Sequence, residues 1–146
     1  MKKSILLLIT AILALSTSVT RAQEDHAYTQ GPVMIVSFIR TEPGMFEEYL
    51  RYLANTYKKL MEEQKKQGTI TDYAVYQAMP RDPQDADLIL TVTYKNMAAF
   101  DGLQARVDPA VKQTFGSLPK AASASADRGK MRKEIGSQMV RQLILK

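Results

Sequence analysis

The run VMIVSFI, residues 33–39, decides how this chain folds. It is β-branched and aromatic, too short for a typical helix, and halted by Thr41-Glu42-Pro43-Gly44, so it reads as a strand. Alternation sends Val33, Ile35 and Ile39 to one side and Met34, Val36 and Phe38 to the other. Neither side is made for water. A strand that is apolar front and back needs two covers, and the sequence supplies one of them immediately. In PGMFEEYLRYLANTYKKLMEEQKKQG, residues 43–68, Phe46, Leu50, Leu53, Tyr57, Leu60 and Met61 recur at three- and four-residue steps with Tyr49 at the edge of the stripe. Glu47, Glu48, Arg51, Lys58, Lys59, Glu62 and Lys66 fill the opposite side. Pro43, the early acids, the late lysines and Gly68 mark the two ends of a helix.

Further along, Thr69 to Met79 is rich in Thr, Tyr and Val, and a turn-rich loop, Pro80 to Asp85, separates it from DLILTVTY, residues 87–94. Two strands joined this way form an antiparallel hairpin. Asn96 is placed to cap a second helix through Met97, Phe100, Leu103 and Val107, ending near Asp108-Pro109 or restarting there through Phe115. Residues 118–133 hold the low-complexity AASASADRGK, either a mobile loop or a short alanine-rich helix. Gln138 to Leu145 reads as a last strand. Strand, helix, strand, strand, helix, strand is the split βαβ order, an α+β fold with a four-stranded antiparallel sheet and its helices on one face. The other face is then uncovered. On the third strand, too, Leu88, Leu90 and Val92 oppose Ile89. Leaving about four large apolar side chains wet forgoes roughly 6 to 12 kcal/mol of burial, comparable to the roughly 5 to 15 kcal/mol stability of a whole domain. The economical cover is a second subunit's sheet, in a two-fold homodimer with a cavity between the sheets. The alternative is that the alanine-rich segment and the C-terminal residues fold back over it.

At 146 residues, 45% apolar and 24% charged, the chain fits one globular domain. Lys2 and Lys3 precede the apolar run Ile5 to Leu15, and small and polar residues lead to Thr20-Arg21-Ala22, the build of a secretory signal peptide cut after residue 22. Eleven apolar or small residues are too short to span a bilayer comfortably, so no stable membrane anchor is expected after cleavage. Residues 23–31 read as a flexible leader carrying His26, and 32–146 as the domain. Removing 1–22 takes away three basic residues and no acid, so 20 basic residues fall to 17 against 15 acidic and the net charge to +2. The case for nucleic acid as a partner largely disappears with them. The absence of cysteine excludes a disulfide framework and a lipid-bearing cysteine at the cleavage site. The expectation is an exported protein, periplasmic or extracellular, held together by packing.

Residues 33–103, with the strand running into Thr41-Glu42-Pro43-Gly44, the long charged helix, the hairpin, and Leu88 to Tyr94 running into Asn96-Met97-Ala98-Ala99-Phe100, resemble the dimeric α/β-barrel superfamily. Its branches include antibiotic-biosynthesis-type monooxygenases, NIPSNAP-like and EthD-like proteins. The resemblance implies a ferredoxin-like protomer, a dimer built sheet to sheet, and ligands held between sheet and helices. Monooxygenase-like members often carry an acidic residue and a tryptophan at the end of the third strand, where this chain has Val92 and Tyr94. The haem-handling branches use a histidine on the protomer, whereas His26 precedes the domain, so no ligand of the family carries over.

The domain holds no Ser/His/Asp set, no cysteine nucleophile and no glycine-rich phosphate loop. His26 beside Glu24 and Asp25 is one imidazole in a tail, too little for a metal. Arg40, Tyr73, Gln77, Thr91, Thr93, Tyr94 and Arg141 remain as polar groups on apolar strands, able to offer hydroxyl, amide and guanidinium donors to an aromatic or carboxylate ligand, or to serve only packing and solvation. Asp72, the acid inside a strand, is a base if its pKa is raised and an edge residue facing water otherwise. Arg128, Lys130, Arg132 and Lys133 read as a solvated segment. The expected function is the binding of a small, partly apolar molecule in an inter-sheet or sheet-helix cavity with no cofactor. A cofactor-independent monooxygenase or isomerase acting on an aromatic or lactone-like substrate is the alternative, and a purely structural protein a third.

Overall fold

The computed structural model describes residues 26–146. The signal segment 1–22 and the first leader residues lie outside them. β1 spans Tyr28–Thr41 and pairs with β4, Arg132–Leu145, along almost its whole length. Tyr28 to Gly31 therefore belong to β1 and not to a leader: Tyr28, Thr29 and Gln30 stand opposite Leu145, Ile144 and Leu143 of β4, and Gly31 lies in the register shift before Val33. Gly31 leaves β4 close there: a Cβ would sit 3.1 Å from that of Gln142, which would have to yield by a few tenths of an ångström.

The chain leaves β1 through a turn at Gly44, whose φ of 80° suits glycine. Helix α1, residues 46–66, starts three residues later than Pro43 and has three parts: α-helix over Phe46–Tyr52, a π-helical turn over Leu53–Tyr57, and α-helix over Lys58–Lys66. β2, Asp72–Gln77, and β3, Leu88–Tyr94, form the expected hairpin. A 3₁₀ turn, Met97–Phe100, leads into α2, Leu103–Phe115. Asn96 makes no side-chain cap; its carbonyl accepts from the Ala99 N–H. α2 also runs through Pro109 instead of stopping there, with the next residue, Ala110, fully buried so that packing holds both sides of the missing hydrogen bond. The alanine-rich segment is a helix, α3, Leu118–Gly129. Ser117 caps it, its hydroxyl accepting from the Lys120 N–H at 3.3 Å, and Pro119 fits the first turn.

The sheet runs β2-β3-β1-β4 with every neighbour antiparallel, the order the split βαβ reading requires. Both apolar clusters lie on one side of it. Ile39, Leu88 and Leu90 pack under Tyr49 and Leu53 of α1, and Tyr94 packs with Met61 and Ile70, joined by Phe100 and Leu103. Each such side chain contributes about 1.5 to 3 kcal/mol of burial. α3 sits on this same side, with Arg128 reaching Tyr52 of α1, and the C-terminal residues are sheet. None of the described helices covers Met34, Val36, Phe38 and Ile89, so the alanine-rich segment does not fold back over that face. No helix of the described residues is long and apolar enough to cross a membrane.

Candidate functional site

A cavity of about 150 Å³ lies between the sheet and the helices. Its floor is apolar: Ile35, Ile39, Leu90 and Val92, with Ser37 as the one hydroxyl. Three tyrosines of α1, Tyr49, Tyr52 and Tyr57, form its roof, and Arg128, Arg132 and Glu134 close one end. The π-helical turn explains the roof. Residues 49, 53, 57 and 61 repeat at four-residue steps, which drift by about 40° each around an α-helix of 3.6 residues per turn. One wider turn, with Lys58 N–H donating to the Leu53 carbonyl, absorbs that drift and keeps the set facing inward. Tyr49, read as the edge of the stripe, is consequently among the most buried side chains, 1% exposed.

The polar groups of the cavity divide into the satisfied and the unsatisfied. Arg132 donates to Glu134 Oε2 at 3.1 Å, and Arg128 donates to Tyr52 Oη at 3.3 Å and Ser125 Oγ at 3.0 Å while lying over the Tyr52 ring. Tyr52 in turn stacks on Tyr49. The Tyr57 hydroxyl and Arg132 Nε, by contrast, are buried without any hydrogen-bond partner. Such groups cost roughly 1 to 3 kcal/mol each when left unmet. Burial pushes the Tyr57 phenol far above its usual range; it also raises that of Tyr49, though Arg132 and Arg128 work against the shift. Both phenols are neutral donors at ordinary pH.

The residues singled out from the sequence are not gathered here. Tyr73 and Gln77 stand opposite Val92 and Leu88 and share their face, whereas Thr91 and Thr93 stand opposite Val36 and Met34 on the other. Tyr73 donates to Glu62 at 2.6 Å, and burial with that carboxylate pushes its phenol up to about 12. Tyr94 is buried against Phe100, centroids 4.6 Å apart, with its pKa raised by burial. Neither tyrosine lines the cavity, and both phenols stay protonated near neutral pH. Gln77 is exposed at the end of β2. Thr93 and Arg141 border a depression with Met34 and Val140. Asp72 is exposed on the edge strand, and its hydrogen bond from Lys65 holds the carboxyl below the usual range, the opposite of what a base needs.

A larger hollow, about 460 Å³, lies at the end of the sheet between the Gly44 turn and the β2–β3 loop. Its polar groups already have partners. Arg40 donates to Gln84 Oε1 at 2.6 Å, Asp87 accepts from the amide and hydroxyl of Thr41, and Asp85 accepts from the Arg81 and Asp82 amides. Arg40 thus braces a loop. The small cavity, which joins an apolar floor to tyrosine and arginine side chains, is the better candidate.

Sequence reasoning missed Tyr49, Tyr52, Arg128, Arg132 and Glu134 as a group. The signal that could have found the tyrosine roof is the four-residue spacing of Tyr49, Leu53, Tyr57 and Met61, which an unbroken α-helix cannot keep on one face; no local signal points to Arg128, Arg132 and Glu134.

No protein-family model matches the chain, and no curated protein resembles it. Among solved structures it is similar to HapK from Hahella chejuensis, at 12% identity over 75% of this chain and 91% of that one, with a TM-score of 0.52. Two dimeric ferredoxin-like proteins from uncultured marine organisms are also similar, one at 15% identity over 81% and 98% of the chains and one at 8% over 81% and 90%, both with TM-scores of 0.50. The likeness is one of fold: the α+β, ferredoxin-like protomer is confirmed.

Proposed function

We propose that this chain is an exported homodimer that holds a small, partly apolar molecule in the cavity between sheet and helices. The observation that carries the binding is the hollow itself, whose apolar floor of Ile35, Ile39, Leu90 and Val92 meets tyrosine and arginine side chains on its other walls. The dimer rests on the bare apolar face of the sheet and on the description of two fold neighbours as dimeric. Self-pairing through Met34, Val36, Phe38 and Ile89 buries a surface that a monomer leaves half wet. Export rests on the Lys2-Lys3 and Ile5 to Leu15 pattern, and the matured N-terminus is then Gln23.

The test is a thermal-shift screen of single-ring compounds against the mature protein, repeated with Ser37→Phe, which fills the hollow from its floor. Binding at saturating ligand raises the melting temperature by several degrees. Ser37→Phe, folded by circular dichroism, loses that shift. A hit that shifts both proteins equally binds elsewhere and removes the cavity from the proposal. Ultracentrifugation at micromolar concentration that shows only monomer removes the dimer.

A further inference from the structure

We propose that α3 is a lid over the cavity between sheet and helices, latched by Arg128 on Tyr52 and swinging between anchors at Gly116 and Met131. This rests on the cavity reading above and adds the way a guest enters.

The hold of α3 on the rest of the fold is slight. None of its side chains is buried, and only Ala121, Ala124 and Arg128 are even half-buried. Steps of three and four residues put these three on one face, so the helix rests on the fold through two methyl groups and one arginine. α1, by contrast, buries Tyr49, Leu53 and Met61. Apolar area removed from water is what keeps a helix in place, and segments with little of it open before the rest of a fold does.

Both ends of α3 are fixed although its length is not. The Gly116 N–H donates to the Lys112 carbonyl at 2.7 Å and closes α2, and the left-handed φ of 83° at Gly116 turns the chain. Beyond α3, the Met131 carbonyl accepts from the Glu42 N–H at 2.9 Å, and the Met131 side chain packs against the cluster of Ile39, Tyr49 and Leu88. Residues 117–130 therefore form an arch between two anchors. From α3 a single side chain, Arg128, lines the cavity. It donates to Tyr52 Oη at 3.3 Å and lies over the Tyr52 ring, 5.9 Å from the centroid. Tyr52 belongs to the roof, so this contact joins the arch to the cavity wall. Its release opens that end of the hollow while the packing of α1 on the sheet stays as it is.

The chain has no cysteine, so Ser37→Cys places a lone thiol on the cavity floor. In the mature, full-length protein, the rate at which the single-ring reagent benzyl methanethiosulfonate labels that thiol, followed by mass spectrometry, reads access to the hollow. On this background Tyr52→Phe deletes the latch's acceptor and keeps the ring, and Ser117→Ala deletes the cap at the far end of α3, away from the cavity. Each is expected to raise the rate about threefold to tenfold with the circular dichroism unchanged. A contact that only braces the cavity wall predicts no effect of Ser117→Ala. In the unaltered protein the α3 amides are expected to exchange with deuterium at least about tenfold faster than those of α1. A labelling rate unchanged by Ser117→Ala, or α3 amides as slow as those of α1, overturns the lid and leaves the cavity reading standing. Labelling by methyl methanethiosulfonate but never by the benzyl reagent, in any variant, means that the hollow admits no ring and overturns both.

Discussion

Leu88 and Ile89 are neighbours of nearly identical chemistry, yet Leu88 is 1% exposed under α1 while Ile89 remains half-buried on the opposite face of the sheet. The same contrast separates Ile39, 1% exposed, from Phe38 beside it. Propensity and hydrophobicity are alike within each pair; what differs is the presence of helices above one face. The helix face is finished by this chain. The other face carries apolar strands that nothing in residues 26–146 finishes, so the fold of the protomer and its assembly draw on different halves of the same side-chain alternation.

The largest effect that can break this contrast comes from truncating both neighbours. Leu88→Ala is expected to lower unfolding stability in urea by about 2 to 5 kcal/mol, by the same amount at every protein concentration. Ile89→Ala should cost the dilute protomer less than half as much, with the rest of its cost growing as concentration rises, because part of what it loses is association. Equal and concentration-independent losses at both positions would mean that the two faces are not different in kind.

A smaller effect sharpens the contrast within the helix face itself, between two tyrosines whose rings meet edge to face at 6.0 Å. Tyr57 has a buried hydroxyl without a partner, and Tyr73 gives its hydroxyl to Glu62. Tyr57→Phe is therefore expected to leave the ligand-free protein as stable as before or more so, by up to about 1 kcal/mol, while Tyr73→Phe destabilises it by about 1 kcal/mol. Opposite signs from the same chemical change, read from urea midpoints, identify Tyr57 as a group kept for something other than stability. A loss at Tyr57 equal to that at Tyr73 would show that its hydroxyl is satisfied in solution.

The fold was legible because its signals are local. The alternation in VMIVSFI, the stripe of α1, the Pro80 to Asp85 turn and the apolar C-terminus each declare an element within a dozen residues. Residues 118–133 stayed open between loop and helix, although the signal that settles 118–129 as helix, the Ser117 cap with Pro119 behind it, is equally local. The site was not legible, because it is assembled across distance. Tyr52 and Arg128 lie 76 residues apart and meet only after the sheet has formed, and in the linear sequence Arg128 and Arg132 look like any solvated basic run. Strand alternation did place Tyr73 and Thr93 on definite faces, but which face receives the helices depends on the register Ile35↔Val92↔Tyr73, and that is a tertiary fact.

The smallest expected effect lies on neither face. Lys65 at the end of α1 meets Asp72 at the start of β2 at 3.0 Å, with both side chains largely in water. The hydrogen bond from Lys65 depresses the Asp72 pKa in the folded protein, so the stability it brings is present above the ordinary carboxylate pKa and fades as pH falls through the lowered value. Between about pH 5 and about pH 3, then, urea midpoints should decline slightly more steeply for the unaltered protein than for Lys65→Met, and salt should erase the difference. Because an exposed pair is screened and its side chains lose freedom to hold it, this difference must stay well below that of Leu88→Ala. A steeper acid loss in Lys65→Met than in the unaltered protein would reverse the sign and show that Asp72 is held by something other than Lys65. A difference rivalling that of Leu88→Ala would mean that the helix-to-edge-strand corner, and not the buried face, is what keeps α1 on the sheet.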